Sequence, residues 1–503
     1  MPSYLSPGVY VEEVQNGSRP IEGVGTAVAA FVGFASQGPV HEPTLVTNWS
    51  QFTRTFGGFG DGYLAHSVYG YFANGGGSAY VVRIGGPSAP ASPAAAKPVE
   101  LGGLRVSALP GAGAGLTVEV ADAEGENPPE DRFRLVVSQD GKVSETFDVS
   151  AKKNVKSYVV TQVRERSRLI EITEATSGSL TRPENQTVPV AAPPSAPAPA
   201  AVDAQEYVGD LTARTGFGGL ETIDEITMVC VPDLMSAHQR GLIDAEGVKT
   251  VQLAAISHCE QMGDRVALLD PPPGLNAQQV RAWRMDEAGY DSKYATLYYP
   301  WIKVFDPSSG RNTMVPPSGH VAGVWARSDT ERGVHKAPAN EVIRGAVDLE
   351  TNLSKGEQDL LNPVGVNCVR SFAGRGIRIW GARTLSSDPA WRYLNVRRLF
   401  NYLEESILVG TQWVVFEPND DRLWSSIRRN IGAFLHQSWR DGALFGRTAD
   451  EAFFIKCDRE NNPQESIDLG QVVCEIGVAP VKPAEFVVFR LSQFSDSTSL
   501  VSE

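Results

Sequence analysis

Apolar positions along this chain follow two rhythms. Short, nearly continuous apolar runs read as strands at Ala27–Phe34, Ala79–Ile84, Glu225–Val231, Arg265–Leu269 and Ala295–Phe305. The second run follows Gly75-Gly76-Gly77, and the fourth stops at Pro271-Pro272-Pro273. Helical spacing predicts helices over Tyr63–Phe72, Thr250–Gln261 and Gln278–Ala288. From Tyr207 to about Asp388, strands and helices alternate, which predicts an α/β domain with some parallel sheet. Further on, Val396, Leu399, Phe400, Leu403 and Ile407 fall on one helical face. Pro418-Asn419-Asp420-Asp421 makes a helix start with acids in the first turn. Trp424, Ile427, Ile431, Phe434 and Leu435 share a face of the helix that follows.

The pattern changes between two linkers. Gly85–Pro98 is rich in Gly, Pro, Ala and Ser, and Pro193–Ala204 reads PPSAPAPAAVDA. Such stretches bury too little to fold and act as spacers. Between them RFRLVVSQDGKVSETFDV alternates in character and carries Asp140-Gly141, a hairpin signal. A second alternating run spans Lys156–Ile172. This reads as a compact β-rich insertion that projects from a surface.

Both ends carry strand-like arms. Gly8-Val9-Tyr10-Val11-Glu12 is a short extended segment near the start. Strands are also expected at Glu451–Cys457 and, after Pro480 and Pro483, at Glu485–Leu491. In the last of these, Phe486-Val487-Val488-Phe489-Arg490-Leu491 is apolar on both faces, Phe486 and Val488 on one and Val487, Phe489 and Leu491 on the other. A terminal apolar strand left bare aggregates, so it must be covered by its own domain or by another subunit. Two detachable β-arms at opposite ends are what strand exchange between subunits requires.

Composition narrows the chemistry. The length, 503 residues, suggests roughly three domains. A net charge of −14 disfavours nucleic acid as a partner. Five cysteines, odd in number and without a CxxC pair, predict free thiols, not a disulfide framework or zinc site. The opening residues lack the pattern of a signal peptide, and Val24–Ala35 is too short and Gly-rich to span a bilayer. There is no Walker A motif, GxSxG elbow or HExxH, and Gly374-Arg375-Gly376 lacks the third glycine of a dinucleotide fingerprint. Ser318-Gly319-His320 reads as a loop after Pro316-Pro317, and His335 as a structural histidine. His258, Cys259 and Glu260 are adjacent on a helix and cannot share one metal. Glu404/Glu405 and Asp420/Asp421 read as a solvated face and a helix start. No catalytic residue, metal ligand or cofactor is expected.

Several blocks resemble one family, the sheath proteins of contractile phage tails and phage-tail-like particles. SPGVYVEE, GTAVAAFVGFASQGP, TNWSQFTRTFG and FANGGGSAYVVRI are similar to the start of tail sheaths. MVCVPDL, ALLDPP, LYYPWI and VPPSGHVAGVWARSDTERGVHKAPAN are similar to their middle. The densest likeness runs from LNPVGVNCVRSFAGRGIRIWGARTLSSDPAWRYLNVRRLFNYLEESI through GTQWVVFEPND to IGVAPVKPAEFVVFR. The likeness covers Met1–Arg83 and about Ile226–Leu491, and omits the β module. Its overall style is closest to extracellular, phage-like injection particles.

The resemblance implies a multidomain α+β and α/β fold: a β-arm at 1–20, a core domain from 21–86 and 385–480, a central α/β domain at 226–384, an inserted β-rich domain at 87–205, and a C-terminal arm at 481–503. It implies a structural subunit that stacks in six-fold rings around an inner tube and contracts without consuming nucleotide. The partners implied are further copies of itself, an inner tube protein, and baseplate and terminal cap proteins, with neither nucleic acid nor membrane insertion. Assembly would take place in the bacterial cytoplasm, followed by residence in a tail or tail-like particle. The exchange strands implied are Gly8, Val9, Tyr10, Val11 and Glu12, and Phe486, Val487, Val488, Phe489 and Arg490. Since the family's tube contact is largely electrostatic, Arg397, Arg398, Arg428 and Arg429 become candidates for it. Two other readings fit the residues: an α/β enzyme with an inserted β module, and a static shell or surface-layer protein.

Overall fold

The computed structural model describes residues 20–60, 62–85, 99–108, 116–123, 129, 131–139, 142–153, 155–167, 169–174, 182–190 and 201–489. They form two compact units. One contains the described residues up to Gly85 and from Val202 onward, the other those between Gly86 and Ala201.

The larger unit is built on nine strands: β1 (Val28–Gly33), β2 (Thr44–Val46), β3 (Ser78–Arg83), β4 (Met228–Cys230), β5 (Val266–Leu269), β6 (Ala295–Tyr299), β7 (Glu341–Val342), β8 (Val366–Phe372) and β9 (Gly376–Ile379). Their order across the sheet is β7-β9-β8-β6-β5-β4-β1-β3-β2. The six strands from β8 to β3 are parallel, and β9, β7 and β2 add antiparallel edges. Parallel strands need both faces covered, and side chains alternate between faces along a strand. In β1, Ala30 and Val32 accordingly enter one core while Ala29 and Phe31 enter the other. Helix α2 (Ala245–Met262) packs Val251, Ala255 and Cys259 into the first core. Helices α1 (Leu64–Asn74) and α3 (Ser318–Arg332) pack Val68, Tyr71, Val321 and Trp325 into the second.

This sheet corrects the expected grouping of 21–86 with 385–480. Strand β1 lies between β3 and β4, in register through Val28–Gly33 against Ser78–Arg83, so the N-terminal segment completes the central sheet. The run Ala295–Phe305 is two strands. Pro300 has no N–H to continue a ladder, and Ile302–Asp306 joins a separate antiparallel sheet with Arg311–Val315 and Ala346–Leu349.

The smaller unit has two sheets. Leu116–Asp122, Arg132–Gln139, Lys142–Ser150 and Thr187–Pro189 form one; Val99–Leu101, Leu104–Ala108 and Ile170–Glu174 form the other. Alternate residues Leu116, Val118, Phe133, Leu135, Val106 and Ile172 meet in a single core. Asp140-Gly141 lies outside the described residues. The reading of Lys156–Ile172 as a β run is corrected: Val159–Arg166 is a helix, and Val159 and Val163, one turn apart, supply its buried face.

After the central sheet come helices α4 (Leu394–Thr411) and α5 (Asp421–Arg440), then β10 (Phe453–Lys456) paired with β11 (Glu475–Val478). Asp420 caps α5 by accepting from the N–H groups of Arg422 and Leu423. Trp424, Ile427, Ile431, Phe434 and Leu435 are all buried against Leu399 and Leu403. Of the expected strand Glu451–Cys457, residues up to Ala452 are instead a helical turn, with Asp450 and Glu451 at its N-terminus.

One buried ion pair joins three distant segments of this unit. Arg398 of α4 donates to both carboxylate oxygens of Asp329 in α3, at 2.9 and 2.5 Å, and to the Thr26 carbonyl at 3.0 Å. The Thr26 hydroxyl donates to the same carboxylate at 2.7 Å, and the guanidinium lies 4.7 Å from the Trp325 ring centre. Both side chains of the pair are 4% exposed. Removing one member strands the other charge in the interior. Asp329→Ala should lower unfolding free energy by about 3–5 kcal/mol, read as a fall in the urea midpoint. A midpoint matching wild type would show that the junction does not hold the unit together.

Candidate assembly surface

The C-terminal strap after β11 is tied down and then released. Ala479 donates to the Ala452 carbonyl, Phe445 to the Ala479 carbonyl and Val481 to the Ala443 carbonyl, while Asn395 of α4 donates to the Val481 carbonyl. The last tie is Glu485. Arg383 reaches its carboxylate with two nitrogens, at 2.8 and 2.6 Å, and Asn362 adds a third bond at 2.8 Å. Burial alone would raise the Glu485 carboxyl, but these donors outweigh it and hold it below its ordinary range.

Immediately beyond this tie, Phe486, Val487, Val488 and Phe489 are 67–84% exposed. The expected strand over Glu485–Leu491 is corrected for its described part: Glu485–Phe489 has no sheet partner among the described residues. Arg490, and the N-terminal exchange residues Gly8, Val9, Tyr10, Val11 and Glu12, lie outside the described residues. The small sheet of β10 with β11 has four register pairs and no third strand among the described residues. A two-stranded ribbon is marginal alone and leaves backbone donors and acceptors on its edges. Phe454, Phe445, Leu469 and Phe416 add further exposed apolar side chains to this C-terminal region.

The four arginine candidates separate. Arg397 and Arg398, 1% and 4% exposed, are corrected: neither presents its charge at the surface. Arg397 donates to Asn401 at 2.6 Å and to Glu404 at 3.2 Å, and lies 4.5 Å from the Trp391 ring centre and 4.7 Å from that of Tyr294. The first half of α4 is buried all round, from Leu394 to Leu399, so its arginines are part of the core. Arg428 is half-buried and donates to the Cys457 carbonyl; Arg429 is exposed.

The carboxyl ends of the parallel strands, where open α/β sheets bind ligands, are occupied by structural bonds. Asp233 accepts from the backbone N–H of Phe34 at 2.7 Å, of Tyr63, and of Leu64 at 3.2 Å. Asp270 accepts from the Ser318 hydroxyl at 2.6 Å and its N–H at 3.1 Å. Burial pushes Asp233 up to about 6 and Asp270 up to about 7, against these bonds. Ser318 therefore serves Asp270, and both it and His320 are in helix α3 and not in the expected loop. A cavity of about 250 Å³, lined by Thr26, Asp224, Asp264, Arg398 and Glu405, lies instead at the amino ends of β1, β4 and β5. Among the described residues no helix is long and apolar enough to cross a membrane.

Two family descriptions match the chain in succession: Phage tail sheath protein central domain over residues 200–385, and Phage tail sheath C-terminal domain over 386–494. Together they span more than half of it. The chain belongs to the phage tail sheath family. The tail sheath protein of Burkholderia phage BcepMu is 25% identical, over 96% of this chain and 95% of its own length. That of Vibrio phage KVP40 is 29% identical, over 48% of this chain, which spans only 39% of the relative's length. The fold is that of the anti-feeding prophage helical sheath in its contracted state (TM-score 0.60, 24% identity, covering 98% of this chain and 100% of that one). It is equally that of the PVC sheath of an extracellular contractile injection system (TM-score 0.60, 23% identity, 98% and 99% covered). This sheath protein is a structural subunit of the phage tail sheath kind, not an enzyme.

The tie at Glu485 carries a pH prediction. Its carboxyl is lower in the folded chain than its ordinary value of 4.5. The carboxylate therefore stabilises fully above about pH 4.5, and that contribution is lost as pH falls through the lower folded value. Glu485→Gln should cost roughly 1.5–3 kcal/mol at neutral pH, as for other bonds to charged groups. The difference in unfolding midpoint from wild type should close on acidification below about pH 4.5. A difference that stays constant down to pH 3 would show that the charge at Glu485 is not what ties the strap.

Proposed function

We propose that this subunit polymerises as stacked six-fold rings around an inner tube, ending at a baseplate and a terminal cap. The sheath then contracts to drive the tube through a target envelope, without nucleotide hydrolysis. The observation that carries this reading is the exposed apolar segment Phe486–Phe489, released next to the Glu485 tie. Left bare, such a segment aggregates; laid on the ribbon of β10 and β11 of a second copy, it gains backbone partners and buries its side chains. The N-terminal arm around Val9 and Tyr10 would add a further strand from another copy. A heterologous contact of this kind builds a helical polymer. Its arms hold neighbours together while the bodies rotate, as two packings of one polymer require. The related structures support the reading by what they are: a contracted helical sheath, and a baseplate of the anti-feeding prophage. Assembly inside the bacterial cell before incorporation in a particle is part of the same proposal.

Deleting Met1–Glu13, or truncating after Glu485, should leave a folded subunit that forms no sheath tubes in negative-stain electron microscopy. Normal tubes from either truncation would refute arm exchange. For the inner tube, Arg428 and Arg429 are the remaining candidates on the basic helical face. Arg429→Glu should leave unfolding unchanged but weaken co-sedimentation with tube. Residual binding of the wild type should fall with added salt, as exposed charge contacts do. Equal co-sedimentation of variant and wild type would remove Arg429 from the tube contact.

A further inference from the structure

Two of the five cysteines are brought face to face by the register of β10 and β11. Lys456 and Glu475 are the last pair of the ladder, so continuing its register by one step sets Cys457 opposite Cys474. Residues directly opposite in such a ladder have Cα atoms about 4.5–5.5 Å apart, within the range a disulfide spans. The far side is fixed as well. Asn462, 1% exposed, accepts from the Val473 N–H at 2.6 Å and donates to the Val473 carbonyl at 2.9 Å, clamping the residue before Cys474. Its amide nitrogen also lies 4.0 Å from the Cys457 sulfur. The two thiols are close enough to hydrogen-bond to one another.

The other three cysteines offer nothing comparable. Cys230, Cys259 and Cys368 are sealed in the central domain, and Cys230 and Cys259 belong to cores on opposite faces of the sheet. Cys457 is fully buried but Cys474 is only half-buried, so one member of the pair can meet a reagent.

We propose that Cys457 and Cys474 form a dithiol that closes to a disulfide in an oxidising medium and staples β10 to β11. With a small-molecule disulfide such as oxidised glutathione, the Cys474 thiolate attacks one sulfur and releases one glutathione. Cys457 then displaces the second glutathione from the mixed disulfide. Two electrons pass from the cysteines to glutathione disulfide, and the two thiol protons end on the two glutathiones released. Burial pushes the Cys474 thiol up to about 12, with the neighbouring Cys457 adding to the effect. Few thiolates exist at neutral pH, so closure is slow and speeds up with pH. The pairing does not depend on assembly. Its consequence, a ribbon held ready for an incoming strand, rests on the reading of β10 and β11 as the receiving sheet.

The test uses the full chain, purified reduced and then incubated with oxidised glutathione. Titratable thiols in denaturant should fall from five to three, with a Cys457–Cys474 peptide link in mass spectrometry. Dithiothreitol should restore five. The thermal midpoint should rise on oxidation of wild type and stay put for Cys457→Ser and Cys474→Ser. Five thiols after long exposure, a stable glutathione adduct on Cys474, or links among the other cysteines would each overturn the pair. Sheath tubes are counted separately in both redox states. Absent tubes in the presence of a formed disulfide would count against strand exchange and leave the dithiol standing.

Discussion

The buried pair of Arg398 and Asp329 is the constraint on which the larger unit depends. An isolated charge in that interior would cost several kcal/mol. Each group is repaid only by a specific arrangement of three segments far apart in sequence. Thr26 must bring its carbonyl and hydroxyl to the start of β1, Asp329 must sit near the end of α3, and α4 must present Arg398. Apolar packing tolerates sliding; a two-nitrogen grip on one carboxylate does not. The pair therefore sets the orientation of the C-terminal helices on the central sheet. The segment leading into β1 is held along α4 as well. Ile21 packs near Gly410, Val24 donates to Ser406, and a side chain at Gly23 would collide with the Tyr402 ring.

With that junction fixed, the polar groups of the sheet are committed. Asp233 and Asp270 spend their oxygens on the starts of α1 and α3, at the end of the sheet where an enzyme of this class would place substrate. What the chain leaves unspent is at its C-terminal end, where apolar side chains and ribbon edges face outward. A rigid body with an unsatisfied margin is the economy of a polymer subunit.

Much of this was legible from pattern. The parallel strands were visible because strands covered on both faces read as apolar runs, and the buried face of α5 because five apolar residues keep helical spacing. The arginines were not. Arg397 and Arg398 look like a basic face when only their own helix is counted. Asp329, Trp391 and Tyr294 are brought to them by tertiary structure, and the apolar face read at Val396, Leu399 and Leu403 leaves the other side of α4 looking solvated although its first half is buried all round. The placement of β1 was hidden for a similar reason: an apolar run records that a strand is buried and not which neighbours flank it. The cysteine pair was illegible because its adjacency exists only in the register of β10 against β11. Val159 and Val163 show the opposite error, where one helical turn was mistaken for alternation.

The tie at Glu485 gives the exposed segment its meaning. An apolar tail on a long free tether would search a large volume and gain little from any one neighbour, because each doubling of tether length adds to the entropy lost on docking. Arg383, Asn362 and the backbone bonds through Val481 shorten that tether to almost nothing. Phe486 therefore leaves the body from a fixed point and in a limited set of directions. The ordering entropy has been met within the subunit, so more of the burial free energy of Phe486–Phe489 remains for contact with another copy. Such a contact can be strong enough to persist and still have its hinge in the few residues beside the tie.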